Sequence, residues 1–350
     1  MGQNKLNPER KTLSIWDLRQ LEAKPKTFLQ KAIDRGICFL PFLVTMAIIL
    51  EYKFAPNYKN FTALDQNKPT NVYAWFIGIF ACIYFAQNIA AFFSKKVCEK
   101  LRYNAPIYAS AFILLLVYDI ATLKTAALPL PYFPWPDAIL NAIIIDRVIL
   151  WKSICHSLLL LFTGYFTGAI IGLVTGISAG WSEKARYWIM PLVKVLGPIP
   201  STTYLPIILI VATSLFGGSV FLIALGVWYP VTMTTMTGVN NVPKSFFEAA
   251  RTFGAKKSAL IFKVAIPAVS PYIFQGLTQG MSIACIALLV AEMMGVEAGL
   301  GWYINWQRGW AEFAKMYAAV IIICLTFLTV NVILTLIKKR VLSWKDGGVI

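Results

Sequence analysis

Histidine is almost missing from this sequence: His156 is the single one in 350 residues. It stands at the start of an apolar run with no cluster of Cys, Asp or Glu beside it. That argues against a metal site, which gathers several such ligands. The six cysteines, Cys38, Cys82, Cys98, Cys155, Cys285 and Cys324, are scattered without paired spacing. They read as small apolar side chains, not as a disulfide framework or a thiolate metal set. Charged residues make up only 14% of the chain, well below the share found in soluble domains. A phosphate-binding loop is missing too. The stretch Gly254-Ala-Lys-Lys-Ser258 has Lys256 where the loop pattern needs glycine, and no glycine stands five positions earlier. No catalytic residue is therefore assigned, and the chain is expected not to be an enzyme. Residues 1–36 are polar and basic and precede the first apolar run, so no cleavable signal is expected.

What is there is apolar: 58% hydrophobic residues and a mean hydropathy of +0.66. Runs of about 18 or more apolar residues recur, the length at which a helix can cross a bilayer. The sequence thus predicts an all-α polytopic membrane protein of about eight transmembrane helices. The expected spans are 37–54, 72–93, 105–123, 154–179, 188–216, 218–239, 269–291 and 316–337. Ile15, Trp16, Leu18 and Leu21 are spaced for an interfacial helix. The Pro-rich segment 129–136 cannot be regular helix, and 137–153 is expected as a second interfacial helix. This divides the chain into an N-terminal segment 1–36, a three-span extension 37–130, and a five-span core 131–343 containing a loop at 240–267.

The net charge of +16 does not point to nucleic acid, because the basic residues alternate with the spans instead of forming one patch. With the N-terminus placed in the cytoplasm, the inner segments hold three quarters of the Lys and Arg residues, while Asp and Glu divide evenly. Basic residues alone set orientation. Both termini and the loop 240–267 are therefore expected on the cytoplasmic face.

That loop carries the most specific pattern in the chain. Ser245 and Glu248 have capping-box spacing, so a short helix is expected from Phe246. Gly254 stands where a left-handed stop belongs. Phe246, Ala249, Ala250 and Phe253 share one face at helical spacing, two aromatic anchors with small residues between them. Such a face suits a groove on another protein. Lys256, Lys257 and Lys263 follow, and Pro267 marks the start of the next span.

Read together, Glu248-Ala249-Ala250, Gly254 and the later Val264-Ala265-Ile266-Pro267 resemble the coupling loop of the membrane subunits of bacterial ABC importers. That pattern is Glu-Ala-Ala, three residues, Gly, nine residues, then Ile-x-Leu-Pro. From about 133 to 343 the chain resembles the permeases of sulfonate, taurine, nitrate and bicarbonate importers. A Pro-containing span five and Ala291-Glu292 followed by Gly295 and Gly299-Leu300-Gly301 add to the likeness. The resemblance implies a permease subunit of an ATP-driven importer of a small solute, an oxyanion or organic sulfonate, in the bacterial inner membrane. It implies a homodimer, a separate ATPase subunit that carries ATP and Mg, and an external solute-binding protein. No cofactor is implied in this chain. Phe246, Phe247, Glu248, Ala249, Ala250, Arg251, Phe253, Gly254 and Pro267 would couple to the ATPase. Such permeases usually have one span ahead of the core, against three expected here. The alternative reading is a secondary transporter or a non-transport membrane assembly protein. A secondary transporter needs ionisable groups at mid-membrane depth, and spans four to eight have almost none.

Three features inside the core remain. Gly164, Gly168, Gly172, Gly176 and Gly180 form a ridge without side chains on which another helix can cross closely, favoured here as packing within one subunit. Pro198, Pro200 and Pro206 interrupt span five beside Ser201, Thr202, Thr203 and Tyr204, hydroxyls expected to line a translocation path or to bond their own backbone. The threonines Thr232, Thr234, Thr235 and Thr237 of span six are expected to bond their own helix. Glu292, Gly295, Gly299 and Gly301 are expected at an outer gate, with Glu292 bonding loop backbone and not a cation.

Overall fold

The computed structural model describes residues 28–58, 70–256, 259–294 and 296–343. The stretch around Trp16, as well as Lys257 and Gly295, lies outside the described residues. Every long regular element among the described residues is helical. In order these are α1 Phe28–Phe54, α2 Val72–Phe93, α3 Lys95–Asp119, α4 Pro136–Ile145, α5 Arg147–Trp181, α6 Glu183–Leu196, α7 Leu205–Val211, α8 Leu215–Asn240, α9 Lys244–Thr252, α10 Ile266–Met294, α11 Leu300–Gly309 and α12 Phe313–Val341.

Seven of the described helices are long and apolar enough to cross a membrane, counting α3 and α10 with the wider turns that adjoin them. The pair of α6 with the segment Ser201–Val211, bent by 82° at its break, is together apolar enough to make an eighth crossing if the two halves form one span, or a re-entrant loop if they do not. The break follows from Pro198, Pro200 and Pro206, which remove backbone donors and hold the chain extended at Pro200 (φ −54°, ψ 130°). Several boundaries differ from the sequence expectation: the third span, expected from 105, already begins at Val97 within α3. The helix expected at 137–153 ends at Ile145, and the first turns beyond Asp146 belong to the 35-residue α5. The seventh span begins not near 269 but at Leu260, through a π-type turn Leu260–Ala265 that runs into α10. A proline ring clashes with the carbonyl four residues back. The widened turn, in which Ile266 donates to Ile261, accommodates Pro267 inside a continuous helix.

The chain forms two compact units: residues 1–128 with 135–137, and residues 129–134 with 138–350. In the first, α1, α2 and α3 pack through Ile48, Ile77, Ala81, Leu101 and Ala105. Arg102 donates to Asp34 at 2.6 Å between α3 and α1. In the second, α5, α8 and α10 form the central core through Leu161, Ile223, Val227, Val231, Met281, Ala284 and Leu288. The glycine ridge of α5 is the reason these helices approach so closely. A Cβ at Gly172 would stand 2.8 Å from Val231 Cβ, and one at Gly176 would stand 2.8 Å from the Thr232 carbonyl. The ridge is thus spent on packing within one subunit, against α8.

Candidate functional site

Helix α9 is the short polar-and-aromatic element between two membrane helices. It starts at Lys244, two residues before the expected Phe246, and no side chain caps it. Pro243 takes the N-cap position instead (φ −57°, ψ 134°), its carbonyl accepting from Phe246 at 3.1 Å. Ser245 and Glu248 therefore sit inside the helix and do not form a capping box. The stop is as the glycine demands. Gly254 has φ +76°, its N–H donates to Arg251 at 2.9 Å, and Ala255 donates to Ala250 at 3.1 Å. This pair of bonds is a Schellman closure, which satisfies the last carbonyls of the helix.

No residue of α9 is buried. Phe247 turns back toward its own subunit and meets Trp181, at the end of α5, edge to face with ring centres 5.6 Å apart. Phe246 and Phe253 turn away, 52% and 91% exposed. Ala249 lies exposed and Ala250 half-buried, while Glu248, Arg251 and Pro267 are exposed. Arg186 of α6 ties the end of α8, which leads into α9, to the end of α5. It donates to the Ala179 carbonyl of α5 at 3.1 Å and to Asn240 of α8 at 2.5 Å. Trp181 and Arg186 had no role in the sequence reading. An aromatic and a cation at helix ends are too common to single out without the fold.

At the other end of α10, Glu292 is 1% exposed. It accepts from Ser157 of α5 at 2.7 Å and from the Gly301 N–H at 2.8 Å, while Ser157 accepts from the Leu300 N–H at 2.9 Å. A carboxylate and a hydroxyl thus take the first free donors of α11, where a negative group suits the helix N-terminus. The expectation that Glu292 bonds backbone is met, with Ser157 as an unforeseen partner. Gly299 has φ +118°, and a Cβ there would collide with the Glu292 carboxylate. A Cβ at Gly301 would lie 2.8 Å from Glu292 Cβ. Both glycines are places of close approach. Asn305 of α11 bonds the Met293 carbonyl at 3.0 Å, and Tyr303 donates to Asp146 at 2.5 Å. Burial, then that bond, pushes the Tyr303 phenol far above its ordinary range, so it stays a donor.

The four hydroxyls at the break do not share one surface. Ser201 is buried against α8 and α10, close enough that a Cβ at Gly226 would meet its Oγ at 2.8 Å and Ile283 at 2.9 Å. Thr203 is exposed, and Thr202 and Tyr204 are half-buried. In α8, Thr234 bonds its own helix at Pro230, as expected. Thr232 instead pairs with Thr175 of α5 at 2.8 Å.

A family profile described as the binding-protein-dependent transport system inner membrane component matches residues 168–343, about half of the chain. The chain belongs to this family. It is a multi-pass inner-membrane permease subunit of an ABC importer, and the match covers α8, α9, α10, α11, α12 and the broken span. Among its relatives is the aliphatic sulfonates transport permease protein SsuC of Bacillus subtilis, 31% identical over 188 residues, 53% of this chain and 67% of the relative. The taurine transport system permease protein TauC of Escherichia coli is 25% identical over 242 residues, 67% of this chain and 87% of the relative. Nitrate and bicarbonate permeases are similar as well. Among solved structures, a chain of the MetNI methionine ABC transporter in an inward-facing form shares 17% identity at a TM-score of 0.49, covering 56% of this chain and 98% of its own.

Proposed function

We propose that this permease docks its ATPase subunit through α9 and admits a small anion, a sulfonate or an oxyanion, delivered by an external solute-binding protein. The observation that carries the docking assignment is the bare aromatic face of α9, with Phe246 and Phe253 exposed on a helix whose ends are both fixed. Burying each phenylalanine in a partner's groove would contribute about 1.5–3 kcal/mol. Phe247 on Trp181 holds the helix to the permease while the other face stays free. In this reading the ATPase supplies ATP and Mg, and this chain carries no cofactor. Both termini and α9 face the cytoplasm, and two copies of the permease enclose the path. Residues 37–130 form an extension ahead of the permease core. Thr203 and its neighbours at the break belong to the path wall. The clasp of Glu292 with α11 belongs to the outer gate, where Gly299 and Gly301 let α11 seat on the carboxylate. The substrate class is drawn from the relatives named for sulfonates, taurine, nitrate and bicarbonate.

Ala250→Trp tests the docking. A groove that accepts two alanines between aromatic anchors has no room for an indole, and overpacking costs roughly 1–3 kcal/mol. The variant is expected in the membrane at normal abundance, with loss of ATPase co-purification and of uptake. Normal co-purification together with normal uptake would remove the docking assignment. A binding assay of the solute-binding protein against sulfonates, taurine, nitrate and bicarbonate tests the substrate class separately.

A further inference from the structure

Two of the six cysteines meet in the N-terminal unit, although 60 positions separate them in the chain. The sulfur of Cys38, on α1, lies 4.0 Å from the sulfur of Cys98, on the first turn of α3. The Cys38 thiol also donates to the Cys98 carbonyl at 3.7 Å. Both thiols are free. The approach is held from outside the pair. Arg102 donates to Asp34 at 2.6 Å between the same two helices, and Leu101 and Ala105 are buried on the same stretch of α3. The other four cysteines stand differently. Cys285 is packed in the core of α5, α8 and α10, while Cys82, Cys155 and Cys324 are exposed.

Contact alone would be ordinary apolar packing, the role expected of these residues from the sequence. Three properties set the pair apart. The first is distance. Sulfurs in a disulfide stand about 2.05 Å apart, so a closing motion of about 2 Å joins these two, and each cysteine has a side-chain torsion to supply it. The second is unequal exposure: Cys38 is 3% exposed, whereas Cys98 is half-buried. The third is position. Helix α3 begins just after Ser94, in extended backbone, and its first turns carry Lys95, Lys96, Glu99, Lys100 and Arg102. Glu99 and Lys100 are exposed. A run so dense in charge stays at the boundary of membrane and water, where Cys98 is within reach of a small solute. An accessible thiol beside a buried second thiol is the arrangement that resolves a first oxidation into a disulfide.

We propose that Cys38 and Cys98 are a modification site, a thiol pair that hydrogen peroxide converts to a reversible disulfide tying α1 to α3. The Cys98 thiolate attacks the peroxide, the O–O bond breaks, and a sulfenic acid forms on Cys98 as water leaves. The Cys38 sulfur then attacks that sulfur, the S–O bond breaks, and a second water carries off the oxygen. In sum the two thiols lose two electrons and two protons, and the peroxide is reduced to water. A dithiol reverses the bond by exchange through a mixed disulfide. The ring so closed contains the whole of α2, and the ends of α1 and α3 at which it forms can no longer separate. A cross-link that keeps the native approach restricts the unfolded chain and raises stability. The assignment does not depend on which side of the membrane this end faces.

The test uses the full-length permease, purified under reductant, placed in lipid nanodiscs and then exposed to hydrogen peroxide. Peptide mass spectrometry without reduction is expected to find Cys38 linked to Cys98 within one chain. Dithiothreitol should restore both thiols, and the oxidised protein should melt above the reduced one. In Cys38→Ser the linked peptide should be lost, and Cys98 should stop at a sulfenic acid that dimedone traps. If that buried substitution prevents accumulation, Cys98→Ser, at the half-buried position, should lose the linked peptide and leave Cys38 a free thiol. Both thiols unreacted, at a peroxide concentration that oxidises free cysteine in the same buffer, would overturn the proposal. So would Cys98 passing to a sulfinic acid in the parent protein with Cys38 still free, or a Cys98 link between two copies of the chain. A lower melting temperature after oxidation would show that the bond does not fit the native approach of α1 and α3, and would equally overturn it.

Discussion

At the scale of single residues, two glycines show how the same residue type is required for different reasons. At Gly254 a Cβ would meet nothing within 4 Å, so only the positive φ excludes a side chain. Gly254→Asp should therefore cost the isolated permease only about 1 kcal/mol of stability. Its effect belongs to the complex, because a strained stop changes the exit from α9. The expected result is a small fall in melting temperature for the permease alone and a large loss of ATPase co-purification, read on the same preparation. At Gly299 both conformation and space are restrictive, since φ is +118° and the Glu292 carboxylate fills the Cβ position. A backbone region open essentially to glycine alone costs another residue about 1–3 kcal/mol. Displacing Glu292 would also leave the Gly301 N–H and the Ser157 hydroxyl without an acceptor, about 1–3 kcal/mol for each. Gly299→Ala should thus lower the thermal stability of the purified permease clearly more than Gly254→Asp. An equal or smaller effect would show that Glu292 does not clasp α11.

Among the elements, the broken span separates two substitutions that look alike in sequence. Ser201 and Thr203 are two residues apart beside the same prolines, yet Ser201 packs into α8 and α10 while Thr203 is exposed. Ser201→Trp should prevent accumulation of folded protein, because no space exists for an indole beside Gly226. Thr203→Trp should leave folding intact, and only this variant reports on the path. Loss of uptake with normal abundance and normal ATPase co-purification is expected for it. Full uptake would place the path elsewhere. The pairing of α5 with α8 follows the opposite logic. Its glycine ridge was legible from sequence because a four-residue repeat defines one helix face, whatever the partner. Which helix covers that face was not legible, since any nearby helix with β-branched residues satisfies the ridge equally well.

On the scale of the whole molecule, the proposed orientation rests on charge, and it is tested by charge-independent means. In a background without native cysteines, single cysteines at Asn60 and Lys256 should react with an impermeant thiol reagent from opposite faces of the membrane. Labelling of both from one side would reverse the assignment of α9 to the cytoplasm. The hydrophobic runs, the break at the prolines, the stop at Gly254 and the aromatic face of α9 were all set by the sequence alone. Each depends on local backbone chemistry or on periodicity along one helix, and neither needs a distant partner. The start of α9 was misread because Pro243 presets the helix entry that Ser245 and Glu248 were expected to cap. Only the tertiary structure joined Ser157 to Glu292 and Trp181 to Phe247. These partners stand on different helices, far apart in the chain. A single polar side chain in an apolar run states that it needs a partner but not where in the fold that partner lies.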